Sequence, residues 1–94
     1  MPLRHPLFEP RPIRTIYVLR DAEGRYLADL KPGFDPEFVD SPVEALRSQM
    51  AWLTQEVAIA RRKAFLASSK LCPDLVVASA RVQLTPLGWQ EVPS

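Results

Sequence analysis

Nucleophilic catalysis and metal binding need histidine, cysteine or carboxylate side chains gathered in one place, and this 94-residue chain holds few candidates. His5 is the only histidine and sits between Arg4 and Pro6 in a proline-rich terminus, where no Cys–His or Ser–His pair can share a pocket with it. Cys72 is the only cysteine; it precedes Pro73 at the expected exit of a helix, where the negative end of the dipole disfavours a thiolate. One Cys and one His do not build a standard zinc site. Asp21, Glu23, Asp35, Glu37 and Asp40 fall in loop-like sequence without metal-loop spacing, and turn chemistry accounts for them. Gly24, Gly33 and Gly88 are isolated, so no phosphate-cradling loop is present. The expectation is a protein that is not an enzyme, with no cofactor, no metal and no small-molecule substrate.

Arg61-Arg62-Lys63, with Arg47 upstream, is the one basic cluster. Such a run can meet phosphates, which makes a nucleic-acid-associated regulatory protein the alternative reading. Consecutive residues on a helix point in different directions, however, so the trio makes no narrow stripe and reads better as a solvated face. Twelve basic and eleven acidic residues leave a net charge of +1, without the basic excess usual for nucleic-acid binders, so nucleic acid is not the expected partner.

The elements that would position these groups are punctuated clearly. Residues 1–12 contain Pro2, Pro6, Pro10 and Pro12 and read as an extended arm with Leu3, Leu7 and Phe8 as its sticky positions. Residues 13–94 read as one domain, with an apolar fraction of 47% that suits a modest core. A lone cysteine, no signal-peptide apolar core in 1–12 and no 18-residue apolar run lead us to expect a cytoplasmic protein without a membrane span. Residues 13–20 (IRTIYVLR) and 25–30 (RYLADL) read as a hairpin around Asp21-Ala22-Glu23-Gly24. Residues 31–40 read as a loop pinned by Phe34 and Phe38. Residues 75–84 (LVVASARVQL) read as a third strand, with Val76, Ala78, Ala80, Val82 and Leu84 on one face and Ser79, Arg81 and Gln83 on the other. Trp89 to Val92 form a short edge strand or a tail.

Between the hairpin and that strand, Ser41-Pro42-Val43-Glu44 is a capping box with proline at the first helical position. No Gly or Pro follows from Val43 to Cys72, which predicts one helix from Pro42 to about residue 69, roughly 40 Å long. The expected fold is α+β: a three-stranded, mainly antiparallel sheet in the order β-β-α-β, with that long helix across one face. The helix would carry two apolar stripes. Leu46, Met50, Leu53, Val57, Ala60, Ala64, Ala67 and Leu71 would face the sheet, while Trp52, Ile59 and Leu66 would lie on roughly the opposite side. Cover for the second stripe would come from the chain's own arm or tail, from a second copy, or from another protein. Trp52, Ile59, Arg62, Phe65 and Leu66 are therefore the expected partner-binding residues, serving a protein partner or a homodimer.

The segments IYVLRDAEGRYLADL, FVDSPVEAL and VVASARVQL together resemble small phage- or prophage-encoded accessory proteins, in which a D-x-x-G-x-Y turn precedes a helix opened by "SPxEA". The resemblance spans about residues 13–84 and implies a protein that binds and blocks a host protein; it carries over no catalytic or ligand residue.

Overall fold

The computed structural model describes residues 11–30, 35–68 and 74–93. In chain order the elements are β1 (Arg14–Arg20), β2 (Tyr26–Asp29), β3 (Glu37–Val39), α1 (Pro42–Arg47), β4 (Ala51–Trp52), α2 (Gln55–Ser68), β5 (Val76–Thr85) and β6 (Gly88–Glu91). The strands form one six-stranded sheet in the order β3-β2-β1-β5-β6, with β4 also paired to β1, and every pairing is antiparallel. The expected class, α+β, stands, but the expected architecture does not: there are six strands instead of three, and two helices instead of one long one.

The long helix fails at Ser48-Gln49. Glycine and proline are absent there, yet α1 closes with a complete Schellman pattern: the Gln49 N–H donates to the Leu46 C=O at 3.0 Å and the Met50 N–H to the Ala45 C=O at 2.9 Å. Gln49 takes the left-handed position with φ 64°. Residues 51–52 then turn extended and pair with β1, Tyr17 opposite Trp52 and Val18 opposite Ala51. A new helix starts at Thr54, whose Oγ1 accepts from the Val57 N–H at 3.3 Å, with Glu56 in the first turn. Sheet pairing on the exposed edge of β1 outweighs the helix propensity of the run, because propensity differences amount to only tenths of a kcal/mol per residue. Because Gln49 holds a conformation that suits glycine, Gln49→Gly should stabilise the domain by up to about 1 kcal/mol, seen as a higher urea midpoint with an unchanged slope.

The opening signals behave as read. Ser41 Oγ accepts from the Glu44 N–H at 3.2 Å, with Pro42 in the first turn of α1. In the β1–β2 turn, Gly24 has φ 81° and Asp21 Oδ1 accepts from the N–H groups of Glu23 and Arg25 at 3.0 and 2.8 Å. Partial burial pushes the Asp21 carboxyl up, but the bonds from the Arg25 backbone and guanidinium and from the Glu23 N–H outweigh it and hold the group below its ordinary value. The hairpin itself is shorter than expected. β2 pairs with β1 only at Arg20 opposite Tyr26, then continues beside β3, and β4 takes the vacated edge of β1. Residues 37–39, read as loop, form β3, and Phe38 anchors there as expected; Phe34 lies outside the described residues.

Alternation along the strands separates two cores. Ile16 and Val18 of β1 join Val43 and Ala45 of α1, Val82 of β5 and the half-buried Trp89 of β6. Leu19, on the other face of the same strand, joins Leu27 and Leu75, with Phe38, Trp52, Phe65 and Val77 against them. The two helices therefore lie on opposite faces of the sheet. β5 is the strand the sequence describes best: its even residues join the α1 face and Ser79 and Arg81 are exposed on the other.

Candidate interaction surface

The residues expected to bind a partner do not share one helix row. Trp52 is on β4, half-buried in the cluster with Leu19 and Leu27. The four others are on α2, where the break has reset the helical phase, since extended residues advance side chains by about 180° each and helical ones by about 100°. The stripe read as core is consequently turned outward: Val57, Ala60, Ala64 and Ala67 are exposed, while Ala58, assigned to neither stripe, is fully buried. Phe65 packs on the sheet with Leu19 and Leu27. Arg62 is half-buried, and its Nε donates to the Leu75 C=O just before β5. Leu66 is half-buried and Ile59 is 49% exposed.

These contacts orient the helix. Phe65 faces the clustered side chains of β1, β2 and β4, and Arg62 reaches the strand on the other side. Ile59 and Leu66 lie about 40–60° beyond Arg62, away from Phe65, so this flank looks toward the outer edge of β5. Arg61 and Lys63, both exposed, sit about 100° to either side of Arg62 and form no common row.

That outer edge is the unusual feature. Thr85 closes a two-residue hairpin with Gly88, Gln83 pairs with Gln90, and the Val92 N–H donates to the Arg81 C=O at 2.8 Å. Odd-numbered residues of β5 thus direct their backbone groups outward, and the even ones bond to β1. Among the described residues pairing ends at Val92, and Arg62 takes the Leu75 carbonyl. Between those points, the N–H and C=O groups of Val77 and Ser79 have no partner among the described residues. The side chains there are Val76, Val77, Ala78, Ser79 and Ala80, with neither charge nor proline to guard the edge. The two end strands of the sheet are guarded. β3 is three residues long between Pro36 and Asp40 and carries Glu37, and β6 carries Glu91 with Pro93 just beyond.

Among the described residues the tail does not cover α2: Trp89 joins the α1 face and Leu87, at the hairpin tip, is 84% exposed. Residues 1–10 of the arm, with His5, lie outside the described residues, as does Cys72. No helix among the described residues is long and apolar enough to cross a membrane. Compared with protein-family models, curated proteins and solved structures, the chain finds no match.

Signals for this surface were present in the sequence but subtle. Thr54-Gln55-Glu56 is a helix start inside the apolar run, and VVASA is an uncharged strand segment. The open edge depends on where the described pairing of β6 with β5 stops, which only the register reveals.

Proposed function

We propose that this chain is a non-enzymatic protein-interaction module that pairs with a second copy of itself along the open edge of β5. The observation that carries the reading is the self-complementary set of groups on Val77 and Ser79 that have no partner among the described residues. With Ala78 on a two-fold axis, Val77 of one copy stands opposite Ser79 of the other. Each such pair exchanges two hydrogen bonds, so four bonds satisfy the N–H and C=O groups of Val77 and Ser79 in both copies. Four bonds at about 1 kcal/mol each do not offset an association cost of roughly 4–15 kcal/mol, so side chains must contribute. The flank of α2 supplies them: Ile59 and Leu66 from each copy would meet above the seam, and burying the half of each side chain that is still exposed contributes about 1 kcal/mol. With an association cost at the low end of its range, the balance leaves a weak dimer, with a dissociation constant on the order of 10–1,000 μM.

Amide hydrogen exchange tests this residue by residue. The amides of Ala78 and Ala80, bonded to β1, should exchange slowly at every protein concentration. Those of Val77 and Ser79 should exchange quickly when dilute and slow markedly as concentration rises through the dissociation constant. Fast exchange at Val77 and Ser79 at all concentrations would overturn the proposal.

A further inference from the structure

On the α1 face, away from the proposed seam, a cavity of about 370 Å³ is lined by Arg11, Pro12, Arg14, Leu53, Leu84 and Trp89. Its walls come from the residues leading into β1, the turn between β4 and α2, and the β5–β6 hairpin. The apolar walls are open to solvent: Leu53 is 66% and Leu84 37% exposed, with Trp89 half-buried beside them. The polar wall is of one sign. Arg11 and Arg14 have no acidic partner among the described residues, and no carboxylate among those residues lines the cavity. The frame is tied in place: Gln83 Nε2 donates to the Arg11 C=O at 2.7 Å, and Arg47 Nη2 donates to the Trp89 C=O at 3.4 Å, bringing a third guanidinium nearby.

We infer that this cavity is a binding site for a small organic anion, with a carboxylate or phosphate joined to an aromatic body. Guanidinium groups match the planar, paired oxygens of such an anion, and Trp89 with Leu53 and Leu84 provides a surface for a flat ring. The volume lies at the small end of ligand pockets, so it takes a one- or two-ring compound and not an extended chain. The sequence alone pointed away from any small-molecule ligand, because Arg11, Leu53 and Trp89 are distant in the chain and meet only through the β1–β5–β6 register.

The test is a titration of the full chain with 2-naphthoate, 2-naphthyl phosphate and neutral 2-naphthol, followed by the indole N–H resonance of Trp89 and the methyl resonances of Leu53 and Leu84. Binding of at least one anion at millimolar concentration or tighter is expected at these positions, at least about tenfold tighter than 2-naphthol. The stronger of the two anions identifies the oxyanion the site prefers. Arg14→Gln and Arg11→Gln should each weaken that anion about tenfold, with amide resonances elsewhere unchanged. Equal affinity for 2-naphthol, shifts that map to another face, or unaltered binding in both glutamine variants would overturn the inference.

Discussion

Ala78→Pro should cost the domain at least about 3 kcal/mol, whereas Ser79→Pro, one residue along, should leave it folded and unable to pair with a second copy. The contrast follows from the phase of β5. Ala78 stands opposite Val18, and its N–H belongs to the ladder with β1 at the centre of the sheet. Proline there removes a central hydrogen bond and wedges its ring between the two strands that hold Ile16, Val18 and Val82 in register. A domain of this size has about 5–15 kcal/mol in total, so the loss is a large fraction of its stability. The Ser79 N–H points the other way, into the gap between Val92 and Arg62, and Ser79 is exposed. Proline is tolerated on an open edge and is a natural guard of one, so Ser79→Pro should shift the urea midpoint little. Circular dichroism with urea titration measures the first effect, and sedimentation velocity the second. If both variants unfold alike, the assigned phase of β5 is wrong.

The second large contrast is between Trp52 and Ile59, which the sequence places together in one stripe. Trp52→Ala should destabilise the domain by about 2–4 kcal/mol, because the indole lies against Leu19, Leu27 and Leu75 and faces Tyr17 across β1–β4. Ile59→Lys should change stability by less than about 0.5 kcal/mol, since the side chain is 49% exposed and is a member of neither core cluster. It should weaken self-association at least about tenfold by setting two charges beside each other across the two-fold. Denaturation of the first variant and a dilution series of the second read these effects. A destabilised Ile59→Lys would mean that α2 buries the flank assigned here to the seam.

Much of the sheet was legible in the sequence where residues alternate or where a turn has only one solution. The even and odd faces of β5, the Asp21–Gly24 turn and the Ser41-Pro42 helix start are each local patterns with a local cause. The single long helix was not a safe reading, because absence of Gly and Pro says only that nothing forbids a helix. Gln49 accepts a left-handed φ of 64°, and the open edge of β1 recruits Ala51 and Trp52, a tertiary influence that no window of sequence contains. Once the helix broke, every stripe assignment beyond it lost its phase. That is why Val57 and Ala60 face outward and Phe65 inward. Of the residues expected to meet a partner, Ile59, Arg62 and Leu66 remain together beside the β5 edge, while Trp52 and Phe65 pack into the cluster behind it.

The protein-interaction reading rests on the edge of β5, and molar mass by light scattering tests it most directly. As concentration rises to about 1 mM, the unmodified chain should climb from the 10.6 kDa of one copy toward twice that mass, and Ser79→Pro should measure 10.6 kDa under the same conditions. A mass of 10.6 kDa for the unmodified chain across that range would contradict self-association through β5.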